Sequence, residues 1–201
     1  MRNPTISIVI PIHDMPNGSF FLWRLIQSIV TQTYKDYEIV IVQDGLMAEN
    51  TNAGIRKANG ELVKILYLDD YFAHENALKD IVESFMENDT WLVTGCLHQS
   101  GIEPPHSYHE PKYTDDIYTG NNCIGSPSVL TFRRGGTEYF DTQLSWLLDC
   151  DLYKRLHDKY GLPTILNSPN VVIGLHQGQT SNLLSDEDKK KEQDYLIEKY
   201  A

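Results

Sequence analysis

Apolar positions along the chain fall into short β-branched runs separated by stretches with helical spacing, and that alternation predicts an α/β fold. Residues Thr5 to Ile12 form the first run, broken by Pro11. From Phe20 to Tyr34, Phe21, Leu22, Leu25, Ile26, Ile29 and Val30 recur at the spacing of one helix face. Glu38 to Val42 is a second strand, stopped by the turn signal Gln43-Asp44-Gly45. A short helix is expected around Ala53 to Ala58, before a third apolar run, Leu62 to Leu68, that ends abruptly on Asp69 and Asp70. His74 to Asn88 places Leu78, Ile81, Val82, Phe85 and Met86 on one face, and Trp91 to Cys96 follows as a fourth strand. Strands alternating with helices imply right-handed crossovers and a mostly parallel central sheet flanked by helices.

The second half reads differently. Gln99 to Asn122 is rich in proline, tyrosine and histidine and poor in aliphatic residues, which predicts a long surface loop. Pro127 to Phe132 reads as a short strand, Leu144 to Tyr160 as an amphipathic helix, and Thr164 to Gly174 as one or two short strands. From Ser185 a charged helix opens on a capping box, Ser185 to Asp188. The expectation is one compact domain over residues 1–201, with halves at 1–98 and 99–184 and a closing helix at 185–201.

Composition narrows the partners. With 41% hydrophobic residues in 201, the chain can bury one full sheet and its helices. Seventeen basic against 28 acidic residues give a net charge of −11, which argues against nucleic acid or an anionic membrane surface as the main partner. An anionic nucleotide can still bind where a metal and a few local bases neutralise it. Cys96, Cys123 and Cys150 are odd in number and widely spaced, so neither a disulfide framework nor a zinc knuckle is suggested. No basic leader and no run of roughly 20 apolar residues is present, and a cytoplasmic chain without a transmembrane segment is expected. Oligomeric state is not legible.

Three acidic points fall at corresponding places, after strands or early in a helix. The Asp69-Asp70 pair follows the carboxyl end of a strand, where open α/β sheets bind ligands, and could hold a hard divalent cation against a phosphate. Taken alone, the pair fits better as a turn that caps the next helix. Asp44 could accept from a base or ribose, or simply serve the turn before Gly45. Asp149 and Asp151 open a helix, where the macrodipole favours acids. Their side chains should point in different directions, so one at most serves as a base.

The segments SIVIPIHD, LIQSIVTQTYKDYEIVIVQDG, NAGIRKANGE and LYLDD, followed by GNNCIGSPSVLTFRR and FDTQLSWLLDCDLYKRL, resemble in order and spacing the inverting family 2 glycosyltransferases of the Rossmann-like GT-A fold. The resemblance implies an enzyme that moves a sugar from a nucleotide-diphosphate sugar, a UDP-sugar foremost, to a hydroxyl of a glycan or other acceptor. It makes residues 1–98 the nucleotide-sugar half and 99–184 the acceptor half. It implies nucleotide contacts at Pro11, His13, Asp44 and Asp69, Mn²⁺ or Mg²⁺ on Asp70 with His176, and Asp149 as catalytic base, with Asp151 its rival. A carboxylate that accepts the acceptor's proton is what a single displacement needs. An imidazole ligand favours manganese mildly, although a lone histidine after a strand is more often a hydrogen-bonded surface residue.

Departures from that pattern are specific. Gln43 stands where a second acid is usual, Leu46 and Met47 replace a serine and an aspartate, and Tyr67 or Leu68 occupies the place of the leading acid of the metal motif. A catalytically idle nucleotide-sugar or glycan-binding module of the same fold is the competing reading. A nucleotidyltransferase is disfavoured by the missing Gly-rich triphosphate loop. Trp146 reads as core before acceptor platform, and Arg133 and Arg134 as strand flanks before diphosphate contacts. His98, His106 and His109 with Cys96 match no common metal spacing, and Lys189 to Lys191 reads as a solvated helix face.

Overall fold

Strand β1 (Ile6–Pro11) is buried along its whole length, as a strand covered on both faces must be. It pairs in parallel with β2 (Tyr37–Val42) on one side and β3 (Leu62–Ile65) on the other. The computed structural model describes residues 4–135 and 138–201. Helix α1 (Gly18–Val30) makes the first crossover and buries Leu25 and Ile29. Helix α2 (Met47–Lys57) makes the second and starts six residues before the expected helix.

The early start of α2 has a polar cause. Asn50, Thr51 and Asn52 are buried in its first turns and leave no apolar period to read. Asn50 donates to the Ile12 carbonyl, and Asn52 exchanges two hydrogen bonds with the Phe140 backbone. Gly54 lets the helix lie on β1, since a Cβ there would stand 2.3 Å from Val9 Cγ1.

The chain continues through β4 (Tyr71–Phe72), α3 (Ala77–Ser84), β5 (Trp91–Ser100), β6 (His106–His109), β7 (Leu130–Arg133), α4 (Leu148–Tyr160), β8 (Thr164–Leu175), α5 (Thr180–Leu183) and α6 (Asp186–Tyr200). The eight strands form one sheet in the order β2-β1-β3-β7-β5-β8-β4, with β6 added to β5. The α/β class holds, but the sheet is mixed. β7 enters antiparallel between β3 and β5, so the parallel trio β2-β1-β3 meets the parallel pair β5-β8 through a reversed strand. A short apolar run has the same spacing in either direction, so the sequence pattern alone cannot show that reversal.

The segment expected as a long loop is partly ordered secondary structure. β5 runs on to Ser100, β6 pairs back on it, and a 3₁₀ turn at Ile117–Thr119 buries Ile117 completely. β8 is one twelve-residue strand, with register shifts where Pro169 falls opposite Gly95. Helix α6 opens as expected, with Ser185 Oγ accepting from the Asp188 N–H at 3.1 Å. No helix among the described residues is long and apolar enough to cross a membrane.

Candidate active site

The exits of β1, β2 and β3 lie on one edge of the sheet because the three strands are parallel. Beyond β1, His13 is exposed on the wall of a cleft of about 300 Å³, whereas Pro11 is buried at the strand's end. Asn50 ties the first two exits together: its amide donates to Ile12 O at 2.8 Å and its Oδ1 accepts from Asp44 N–H at 3.0 Å. The Asp44 carboxyl is thereby left exposed past β2, outside the cleft lining.

Past β3 the backbone is fixed before it reaches the acidic pair. The Tyr67 N–H donates to Ser128 Oγ at 2.8 Å, and the Asp70 N–H returns to Tyr67 O at 3.0 Å, closing a turn. Three residues before Tyr67, wholly buried Lys64 on β3 donates to the Ser128 and Leu130 carbonyls, and burial pulls its ammonium down to about 7.

The turn sends its two carboxylates in different directions. Asp69 lines the cleft, with Oδ2 at 2.9 Å from His176 Nε2. Asp70 is 2% exposed and accepts the Gly174 N–H of β8 at 2.9 Å. Its enclosure and the neighbouring Asp69 charge hold its carboxyl well above the usual range. Asp69 faces the cleft, and Asp70, expected as the metal ligand, is enclosed in the turn beneath it. Close packing accompanies this placement, because a Cβ on Gly174 would stand 2.4 Å from Asp69 O. β8 lies directly against this backbone. Arg24 completes the grip, donating to Asp69 O at 2.6 Å and to Gln99 Oε1 at 2.8 Å with its guanidinium 4.4 Å from the Tyr71 ring centroid.

His176 is held from both sides. Its Nδ1 accepts the Gly178 N–H at 3.1 Å, so Nε2 carries the proton and donates to Asp69. Phe21 stacks on the ring with centroids 5.3 Å apart. Among the described residues no group of three or more His, Cys, Asp or Glu side chains converges as a metal site, the His98–His109 cluster included. Asp69 fits a hard divalent cation, which would take most of its remaining ligands from outside the protein. His176 fits as a second ligand once Nε2 gives up its proton and Nδ1 its bond from Gly178.

The opposite wall is built by the start of α4. Asp149 is its second residue and lines the cleft. Its Oδ1 accepts the Cys150 N–H at 2.7 Å, and its Oδ2 accepts from Asn122 Nδ2 at 2.9 Å. Burial raises the carboxyl to about 6, and these hydrogen bonds oppose the rise. Asn122 is itself locked, its Oδ1 accepting from the N–H groups of Ile124 and Gly125. Tyr153, buried one helical turn on, donates its hydroxyl to the carbonyls of Gly125 and Ser126. Trp146 is half-buried: it packs against the core and also lines the cleft, so the expected core role describes only one of its sides.

Asp151 is turned away from the cleft and is fully buried. Arg155 binds it at 2.8 Å, Lys199 at 2.8 Å and the Tyr200 hydroxyl at 2.6 Å. Breaking a buried ion cluster leaves its partners uncompensated, so Asp151→Ala is expected to lower stability by about 3–5 kcal/mol. The urea midpoint should fall with the slope unchanged. Arg133 and Arg134 stand at the end of β7, outside the cleft lining, bonded to Glu61 and to the Gly60 carbonyl.

Sequence reasoning did not single out Asn50, Asn122 or Glu192. Asn122 stands in the quoted GNNCIG segment, but nothing in the string separates a turn asparagine from one that also touches a carboxylate 27 residues on. The other two are polar residues on helices, satisfied by distant backbone.

No family model matches the sequence. Over 150 residues it is 29% identical to the glycosyltransferase GlyA of Streptococcus pneumoniae, covering 68% of this chain and 20% of GlyA. Over 170 residues it is 29% identical to an uncharacterized glycosyltransferase of Nostoc, covering 64% of this chain and 51% of that protein. The chain thus spans from a fifth to a half of the length of these two relatives. Among solved structures, S. aureus TarS residues 1–349 in complex with UDP-GlcNAc superposes with a TM-score of 0.67 at 17% identity, over 96% of this chain and 65% of that one. The mannosyltransferase PcManGT of Pyrobaculum calidifontis, in complex with GDP-Man and Mn²⁺, gives 0.61 at 13% identity, over 90% of this chain and 60% of that one. At such identities the structures speak for fold, and the curated relatives supply the kinship. By both, this chain is similar to glycosyltransferases, and it shares the fold of these solved structures.

Proposed function

We propose that this domain transfers a sugar from a nucleotide-diphosphate sugar to an acceptor hydroxyl by a single displacement with inversion. The observation that carries the reading is Asp149, a carboxylate at the mouth of α4, lining the cleft opposite Asp69 and raised to about 6. A base that titrates just below neutrality is ionised at pH 7 and still basic enough to accept a hydroxyl proton. Asp149 takes that proton as the acceptor oxygen bonds to the anomeric carbon, while the bond to the nucleoside diphosphate breaks on the opposite face. The strand exits carrying His13 and Asp44 suit the nucleoside, and Asp69 faces the diphosphate. Asp69, joined by His176 after its change of tautomer, would hold Mn²⁺ or Mg²⁺, which supplies positive charge to the departing diphosphate.

UDP-sugars are the first donors to test, because the TarS structures of the same fold hold UDP-GlcNAc and UDP. A thermal-shift panel of UDP- and GDP-sugars, with and without Mn²⁺, should give its largest rise in Tm with a UDP-sugar plus metal. A donor at a hundred times its Kd stabilises by about 2.7 kcal/mol, several degrees for a domain of this size. Absence of any metal-dependent shift across the panel would overturn the reading. Donor binding without transfer to any hydroxyl acceptor would favour the idle binding module instead.

A further inference from the structure

The backbone that leads into α4 is held by a carboxylate from the far end of the chain. The N–H groups of three successive residues, Ser145, Trp146 and Leu147, converge on Glu192 of α6, at 2.8 Å to Oε1 and 2.9 Å twice to Oε2. Successive N–H groups that converge in this way form an anion-binding concavity. Here the chain fills it with its own anion. The bonds are charge-assisted and so stronger than ordinary amide bonds. They fix the three residues immediately before α4, whose N-cap Leu147 makes no side-chain capping bond of its own.

All three residues line the cleft, and Asp149 follows two positions later. The same helix grips the start of this segment as well. Tyr195 donates to Asp141 Oδ2 at 2.8 Å, and Lys199 binds the same oxygen at 2.8 Å. The acceptor-side wall is therefore fastened to α6 at both ends. The residues proposed for the donor side are held elsewhere: Asp69 by α1, Asp70 by β8, Asp44 by α2, and His176 by Gly178 and Phe21.

We infer that Glu192 is a positioning residue for the acceptor subsite: its carboxylate fixes the Ser145–Leu147 backbone, and through it Trp146 and the start of the helix that carries Asp149. It touches no substrate. The inference rests on the glycosyltransferase reading for its catalytic consequence, but its structural half can be tested without any donor.

The protein holds three tryptophans. Labelled with 5-fluorotryptophan, it should give three ¹⁹F resonances, with Trp146→Phe assigning one. In Glu192→Ala the Trp146 resonance is expected to shift or broaden while those of Trp23 and Trp91 stay in place, and millimolar formate should restore it by refilling the concavity. Glu192→Gln, which keeps one acceptor oxygen, should fall between and provides the readout if the alanine variant unfolds. An unmoved Trp146 signal in both variants, or a moved one that formate fails to restore, overturns the inference whatever the protein's activity.

Where the thermal-shift panel yields a donor, Glu192→Ala should bind it with unchanged affinity. Transfer should fall roughly ten- to a hundredfold, as expected of a misplaced reactive group, and formate should recover part of the loss. Equal weakening of donor binding and transfer would mark Glu192 as a general stabiliser and defeat the positioning role.

Discussion

Asp149→Asn is expected to cut sugar transfer by about a thousandfold, the middle of the range for loss of a positioned general base, while leaving donor binding intact. In the wild type the rate should rise with pH through about 6 and then level off, following ionisation of Asp149. The variant should lose that inflection. Stability should move the other way. The carboxyl's pKa is raised on folding, so the folded chain holds this proton more tightly than the unfolded one. The residue's favourable contribution is complete at low pH and is lost as pH climbs through about 6. Above that pH the wild type keeps a desolvated charge that asparagine does not, and the variant should melt no lower than the wild type at pH 7.5. Wild-type turnover in Asp149→Asn would remove the residue from the mechanism.

The second large effect separates two adjacent carboxylates. Asp69→Ala should abolish the metal-dependent part of donor stabilisation and reduce transfer to background, because it removes the carboxylate that faces the cleft. Asp70→Ala should instead lower stability by about 1–3 kcal/mol, the cost of leaving the buried Gly174 N–H without an acceptor. Isothermal titration of donor with Mn²⁺ present and absent reads the first effect, and urea melts read the second. If Asp70→Ala lost metal dependence in a folded protein while Asp69→Ala kept it, the assignment drawn from the turn geometry would be reversed.

The different settings of Asp69 and Asp70 show how far a sequence carries. The apolar runs located β1, β2, β3 and β5 and the acidic turn after β3, because burial imposes a period that survives in the string. Which of two neighbouring aspartates faces the cleft depends on Gly174, more than a hundred residues later, lying against the Asp69 carbonyl. The choice between Asp149 and Asp151 has the same character. Helical geometry separates the two side chains, but it takes Lys199 and Tyr200 to show which one is buried. Lys189 to Lys191 read as a solvated face of α6, but nothing in the string marked the side of that helix that grips the cleft wall, because its contacts are polar. Glu192, Tyr195 and Lys199 share one side of it through spacings of three and four, and hydrogen-bonded residues leave no hydrophobic period. Direction within the sheet was illegible for a related reason: spacing records burial and not polarity of the strand.

The entry of β7 between β3 and β5 bears on how the chain can be assembled. Residues 91–100 cannot join β3 directly, since the strand that bridges them is made only at 130–133, and β4 has no partner until β8 arrives at 171–172. Strands from residues 1–98 and 99–184 are interleaved in the sheet although the two stretches are consecutive in sequence. Such non-local pairing makes folding slow and leaves the early sheet with open edges while the rest of the chain is synthesised. A cleft built this way is completed only once the last strands are in place, so its two walls form together.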